Sequence, residues 1–295
     1  MVGSGVLKEK IMKAVFFTTA CISILAVGLI CFFLFVNGTP AIREIGVIQF
    51  LFGKVWRPGN GDFGILPMIV GSLYVTAGAI IIGVPIGILT AVFLARFCPA
   101  KIYPVMKAGV ELMAGIPSVV YGFFGLVVLV PFVRNFIGGK GYSILTASIL
   151  LGIMILPTIV NVSESAIRAV PQNYYEGSLA LGATHERSVF RMVVPAAKSG
   201  IFAGVILGIG RAIGETMAVI MVIGGSPEMP KSIFQSVRTL TANIAMGAME
   251  LSGDALSALI ASGVVLFVFT LILNISFSFL KRDKNESREK RGANK

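Results

Sequence analysis

Two segments of this 295-residue chain place reactive side chains where ordinary packing does not ask for them. The first is Gly210-Arg211-Ala212-Ile213-Gly214-Glu215-Thr216, inside an apolar run from Gly200 to Ile223. Arg211 follows Gly200 by 11 residues; at about 1.5 Å per residue it lies ~16 Å into a hydrocarbon core of ~30 Å, near the midplane. An ionisable group at that depth costs at least about 2.5 to 3.5 kcal/mol, so it must face protein or water and have a partner. Helical spacing offers Glu215, four residues on. At about 100° per residue, Gly200, Gly204, Gly208, Arg211, Glu215 and Ala218 fall within about 80° of one another. The glycines would let a second helix come close, and the charged pair would line the cavity that this packing leaves. Arg211 then offers an anion a planar donor fork, and Glu215 orients the fork or releases it as a pathway opens. The competing reading is an ion pair that merely locks two helices, although buried pairs add little net stability.

The second segment is Glu176-Gly177-Ser178, three residues, Gly182, nine residues, then Met192-Val193-Val194-Pro195. Pro171 suits the start of a helix, Gly182 a sharp turn with φ > 0, and a second helix would end before Pro195. Such a helix-turn-helix can lie in a groove of a soluble partner, with Glu176 making polar contacts and Leu179 and Leu181 as apolar anchors.

Both segments need spans to hold them, and the composition supplies spans and little else. The chain is 56% hydrophobic and 13% charged, with a mean hydropathy of +0.89. These values exclude a soluble globular enzyme. Apolar runs at Val15–Phe35, Leu66–Leu94, Ala108–Phe132, Leu145–Val162, Gly200–Ile223 and Leu256–Leu280 are each long enough to cross a bilayer. The expected fold class is an all-α integral membrane protein with six transmembrane helices. The first run is longer than a signal-peptide core and no small-x-small site follows it, so it reads as an uncleaved span.

The net charge of +11 is topological and does not form a nucleic-acid stripe. On the six-span plan, seventeen Lys and Arg fall on one side and seven on the other, leaving only Arg211 within the membrane. The positive-inside rule then puts both termini in the cytoplasm. The expected organisation is a cytoplasmic N-terminus (1–14), a first helix (15–35), an external loop (36–65), a five-helix core (66–280) and a basic cytoplasmic tail (281–295). The core contains the cytoplasmic loop 171–195 and an external loop 225–255. In the latter, residues 233, 234, 237, 240, 244 and 248 have helical spacing, which suggests an amphipathic helix over Ile233–Met249. The two outer segments are the expected docking surface for an external protein. Prolines 85, 117 and 157 fall within apolar runs and should bend their helices.

No catalytic or metal-ligating set is expected. Cys21, Cys31 and Cys98 are too scattered for disulfides or zinc, and His185, the only histidine, reads as a surface contact. Glu111 and Glu164 should stay hydrated at the cytoplasmic ends of spans. Gly225 to Ser232 is the nearest approach to a phosphate loop, yet Pro230 stands where its second glycine is required, so any ATP hydrolysis belongs to another subunit.

The spacing from Glu176 to Pro195 resembles the Glu-Ala-Ala loop of ABC importer permeases, with Gly177, Ser178, Met192 and Val194 departing from its commonest residues. Gly210 to Val219, Gly115-Ile116-Pro117-Ser118-Val119-Val120-Tyr121-Gly122 and Gly64-Ile65-Leu66-Pro67 are similar to the PstC permeases of bacterial phosphate importers, over about Trp56 to Leu280. The resemblance implies a type I ABC importer permease fold and the bacterial inner membrane. It also implies a sister permease PstA, an ATPase dimer PstB that carries ATP and Mg, and an external phosphate-binding protein PstS, with no cofactor in this chain. The expected function is phosphate import by alternating access. Import of molybdate or sulfate, or an anion channel with Arg211 as its selectivity residue, are the alternatives; a passive pore has no use for the coupling loop.

Overall fold

The computed structural model describes residues 2–292, with side chains described for residues 9–272, 274 and 275. The side chains of Lys8 and of the basic tail 281–295 therefore lie outside the described residues. The chain opens with α1 (Val2–Ile45), α2 (Val47–Phe52) and a short antiparallel hairpin of β1 (Trp56–Arg57) and β2 (Asp62–Phe63), with Trp56 opposite Phe63. Next come α3 (Leu66–Val92), α4 (Tyr103–Gly115), α5 (Ser118–Phe124), α6 (Val130–Phe136) and α7 (Ile144–Arg168). The remainder is α8 (Gln172–Ala180), α9 (His185–Ser188), α10 (Val194–Ala196), α11 (Lys198–Gly214), α12 (Met217–Ile223), α13 (Leu240–Glu250) and α14 (Asp254–Gly292).

Among the described residues, five helices are long and apolar enough to cross a membrane: Glu9–Ile45, Leu66–Phe97, Ser118–Phe136, Ile144–Arg168 and Asp254–Ile272. A sixth crossing comes from His185–Ala196 with Lys198–Gly214, a pair bent by 69°. The six-span plan stands, with altered limits. The first helix runs well past the expected 15–35 and takes up part of the expected loop 36–65. The third crossing starts at Ser118, because Pro117 takes extended backbone (ψ 143) and the residues before it form the separate helix α4. The fifth run is interrupted after Gly214, where Glu215 also turns extended (ψ 130), and α12 resumes the helix. The helix expected over Ile233–Met249 is confined to α13, capped by Thr239, whose side chain accepts from the Ala242 amide. The residues before it run beside the start of α7, where the Ile144 and Leu145 amides donate to Gln235 and Ile233 carbonyls.

Two of three further local departures share a cause. Phe93–Phe97, Gly125–Leu129 and Val189–Val193 are π-turns, and each stands two residues before a proline: Pro99, Pro131 and Pro195. At Pro131 and Pro195, which lie where the helix continues, the proline lacks the N–H for an α-helical bond and its ring presses on the carbonyl four residues back, a clash that a widened turn removes; Pro99 instead lies beyond its helix end, where Cys98 is extended (ψ 126). Pro195 therefore does not end its helix as expected. The chain continues through α10 and bends only at Ala197.

The centre of the bundle is α7. Two thirds of its apolar window is buried, against one third or less for the other spans. Its residues Ala147, Leu150, Leu151, Met154, Ile155 and Ile159 join Val75 and Ala79 of α3, Tyr121 of α5 and Ala218 and Val222 of α12 in the main core. Glycines bring the neighbours close. Gly78, Gly83 and Gly87 of α3 lie against Ser148, Gly152 and Ile159, and Gly200, Gly204 and Gly208 of α11 lie against Ala166, Ser163 and Ile159. A second cluster gathers Ala41, Phe50, Trp56, Ile65, Met68 and Ala258 around the hairpin. A third packs Ala91, Ile167, Val189, Val193 and Ile201 where α3 and α7 end.

A Cβ placed on Gly83 would stand 2.8 Å from the Gly152 carbonyl oxygen and 2.8 Å from the Ile155 side chain, both on α7. Gly83→Val is expected to cost about 1 to 3 kcal/mol by overpacking, whereas Gly109→Ala, with open space beside it in α4, is expected to be neutral or mildly stabilising. Thermal unfolding of the two purified variants in one detergent measures the contrast.

Candidate functional site

The coupling segment folds as two helices about a glycine. Pro171 stands just before α8 with φ −53, which suits a helix entry. At the other end the Gly182 amide donates to the Leu179 carbonyl at 2.9 Å and the Ala183 amide to the Ser178 carbonyl at 3.1 Å. These bonds close the helix end over Gly182, which has φ +83. Thr184 then caps α9 by accepting the Arg187 amide, and the chain proceeds through its π-turn into α10.

This pair of helices is anchored on one side and open on the other. Val189 and Val193 are buried against the ends of α3 and α7. His185, expected at the surface, is half-buried: its Nδ1 is 2.8 Å from the Tyr175 hydroxyl and its ring stands edge-on to Phe97 at 4.7 Å. It ties α9 to α8 and to the end of α3. The other side carries Glu176, Gly177 and Pro195, all exposed, with Leu179 and with Leu181 at 90% exposure. Ser178 is buried, and its hydroxyl donates to the Tyr175 carbonyl. Tyr174, Leu181, Arg187, Arg191 and Met192 line a groove of about 510 Å³ between the two helices. An apolar groove with arginines at its edge suits a partner that offers an apolar ridge flanked by carboxylates.

Arg211 and Glu215 lie at the interrupted run, and the expected ion pair between them does not form. The reason is the break after Gly214: the two residues no longer share one helix, so four-residue spacing does not bring them face to face. Instead the Glu215 carboxylate turns forward and accepts the Thr216 and Ala218 amides at 3.1 Å, capping the first turn of α12. Its backbone carbonyl accepts the Thr241 hydroxyl. Arg211 is half-buried, and its only hydrogen bond among the described residues goes to the Thr158 hydroxyl of α7, at 3.4 Å. Gly210 and Gly214, on either side of it in sequence, have open space where a side chain would stand. The site is thus a guanidinium with free donors beside a helix interruption, near an unfilled flank of α11. That arrangement can receive an anion from the open side without first breaking an ion pair.

The polar group that sequence reasoning missed is Glu164. Expected to be hydrated, it is 2% exposed. Its carboxylate accepts from Tyr103 Oη at 2.7 Å, Lys107 Nζ at 2.9 Å and Arg168 Nε at 2.8 Å. The pairs with Lys107 and Arg168 are the two ion pairs found among the described residues. The hydrogen bond to this carboxylate, more than any other influence, holds the Tyr103 hydroxyl above its ordinary pKa. The i,i+4 spacing of Glu164 and Arg168 was a signal in the sequence; the partners on α4, 57 and 61 residues away, left none. Glu111, by contrast, is exposed.

Comparison with known proteins adds the wider context. Residues 83–285 match the family described as "Binding-protein-dependent transport system inner membrane component". The chain is 40% identical over 271 residues to the probable ABC transporter permease protein YqgH of Bacillus subtilis, covering 89% of this chain and 88% of that one. It is 36% identical over 298 residues to the phosphate transport system permease protein PstC of Mesorhizobium japonicum, covering 94% and 91%. Among solved structures, the fold matches that of a bacterial alginate ABC transporter with a TM-score of 0.64 at 15% identity, covering 91% and 94%. It also matches an inward-facing MetNI methionine ABC transporter with a TM-score of 0.60 at 19% identity, covering 78% and 99%.

Two substitutions test the local geometry. Gly182→Ala is expected to weaken the loop by about 1 to 2 kcal/mol, because an L-residue resists the left-handed region, whereas Gly177→Ala, with open space beside it, is expected to be neutral; hydrogen exchange at the Ala183 amide reads the difference. Glu215→Ala removes the cap of α12 and is expected to cost about 1 kcal/mol, while Glu215→Gln keeps an oxygen acceptor and loses less, as seen in thermal unfolding.

Proposed function

From the premise that the chain belongs to the family of binding-protein-dependent transport system inner membrane components, and so is the permease of an ABC importer, we propose that its cargo is inorganic phosphate. The observation that carries this reading is Arg211, a half-buried guanidinium in a membrane span that, among the described residues, has one long bond to Thr158 and its other donors free. A cation held at that depth needs a counter-charge, and a planar donor fork suits two oxygens of a tetrahedral oxyanion. Relatives named as phosphate transport permeases, similar over nearly the whole chain, support the choice of phosphate.

In this reading the chain forms half of a translocation pathway beside a sister permease of the PstA kind. An external binding protein of the PstS kind delivers phosphate at the outer segments 36–65 and 225–255. Arg211 receives the anion while Glu215, held in the cap of α12, keeps the helix interruption open on its flank and adds a charge that discourages a second anion. The chain carries out no chemistry itself. ATP and Mg are handled by an ATPase dimer of the PstB kind, whose surface accepts the loop 171–195, with Leu181 and the neighbouring groove as the apolar contact and Glu176 as the polar one. Both termini face the cytoplasm of a bacterial inner membrane, following the excess of Lys and Arg on that side.

Reconstitution of the assembled complex in proteoliposomes tests the proposal. Labelled phosphate uptake is expected to require ATP and the binding protein, to resist competition by molybdate or sulfate, and to fall to background in Arg211→Gln at unchanged complex yield. Uptake without ATP would indicate a channel, and equal competition by sulfate would indicate a broader oxyanion importer. Glu176→Lys and Gly182→Val are expected to reach the membrane in normal amounts and to lose ATP-dependent uptake, because the first reverses a docking charge and the second places a β-branched residue at φ > 0.

A further inference from the structure

The helix α4 is attached to the rest of the chain in an unusual way. None of its 13 residues is buried, so apolar packing does little to hold it. What joins it to α7 is the cluster at Glu164. Tyr103 and Lys107, both on α4, donate to that carboxylate, and Lys107 donates also to the Asn161 side chain at 2.8 Å. Arg168, one turn further along α7, donates to the same carboxylate and to the Leu94 carbonyl at the end of α3, with its guanidinium 4.4 Å over the Tyr103 ring. Arg96 returns a bond from the end of α3 to the Ile167 carbonyl. The buried carboxylate therefore ties α4 to α7, and Arg168 and Arg96 carry the tie on to the end of α3.

The two sides of this tie lead to different places. Beyond Arg168, α7 passes within a few residues into Pro171 and the coupling helix α8. At its other end α4 passes through the Ile116–Pro117 break into α5, and the Tyr121 hydroxyl donates across that break to the Met113 carbonyl at 2.8 Å. Further along, α5 lies against α12, with Gly122 facing Ala218 and Met221. The flank of Arg211 and Glu215 is thus reached from the coupling helix by rigid pieces, joined by one charged tie and one break. An ionic tie suits that task better than a packed seam. Its geometry is directional, and its loss frees α4 without opening a cavity in the core.

We propose that Glu164 is a positioning residue whose carboxylate passes movement of the coupling helix to α4 and hence to α5. This rests on the reading of the chain as an ATP-driven phosphate importer. The test uses the assembled complex in a background where Cys21, Cys31 and Cys98 are serine, with nitroxides at Val105 of α4 and Ser165 of α7, both exposed. Phosphate moved per ATP hydrolysed is measured beside the spin–spin distance, with and without vanadate-trapped nucleotide.

In the parent the distance is expected to be single, narrow and the same in both states. In Glu164→Gln it broadens, and phosphate per ATP falls at least tenfold while hydrolysis continues; Glu164→Asp, which keeps the charge, recovers a large part of both. If Glu164→Gln does not assemble, Lys107→Gln, whose side chain is partly exposed where that of Glu164 is buried, is expected to give the same two changes. An unchanged distance, or a loss of uptake that only follows complex yield with phosphate per ATP intact, would overturn the proposal. Should the parent hydrolyse ATP yet carry no phosphate, the phosphate reading falls instead, and the distance alone then decides whether Glu164 is the tie.

Discussion

Close approach of helix backbones to α7 is the constraint on which the bundle depends. Within a bilayer, association gains little from hiding apolar surface, because lipid tails are as apolar as leucine, so helices are held by van der Waals contact at short range. Both seams are built for it. Three glycines of α3 and three of α11 stand where any side chain would meet α7, and α7 in turn is the most buried of the spans. With α3 and α11 set at fixed distances from one axis, their ends are fixed too. That is why the coupling segment, which begins where α7 stops and returns into α11, has a defined place to sit.

A consequence of tight seams is that mobility is moved elsewhere. The chain is interrupted where the seams end or do not reach: α4 from α5 at Ile116–Pro117, α11 from α12 at Glu215–Thr216, and α10 from α11 by a bend of 69°. Such interruptions leave backbone groups that lipid cannot satisfy, and two of them are served by side chains. The Glu215 carboxylate accepts the Thr216 and Ala218 amides at the start of α12, and the Tyr121 hydroxyl donates to the Met113 carbonyl near the end of α4. Glu215, which the functional reading assigns to the pathway, therefore also serves the backbone. Substitutions at Glu215 will disturb both roles unless the acceptor oxygen is kept.

What could be read from the sequence follows from how local each feature is. Spans were legible because the bilayer demands a long apolar run, and the turn at Gly182 because its spacing and glycine lie within one short segment. Helix ends were less so: α1 and α7 run on past their apolar runs with polar residues that helices tolerate. Pro117 was visible as an irregularity, yet a kink and a full break have the same residues; Gly214 was read through as helix, and the break after it decided that Arg211 and Glu215 do not pair. The environment of Glu164 was not legible. Its partners come from a helix more than fifty residues away, and nothing in the amphipathic pattern marks a carboxylate at the end of a span as buried. Arg211 was found by depth alone, while its neighbour Thr158 lies on another helix.

The three π-turns carry a meaning in terms of chain length. A π-turn holds one residue more than the α-helical turn it replaces, and one residue corresponds to about 100° of rotation about a helix axis. Phe93–Phe97 closes its helix at Cys98, whereas Gly125–Leu129 and Val189–Val193 lead straight on into α6 and α10; at these two points a single inserted or deleted codon resets which face of the following helix points inward while the preceding segment keeps its seat. In a surface loop such a change is close to silent. Along these helices it acts as a ratchet with steps of about a quarter turn, by which the residues facing a pathway can be exchanged as a set across generations of related chains.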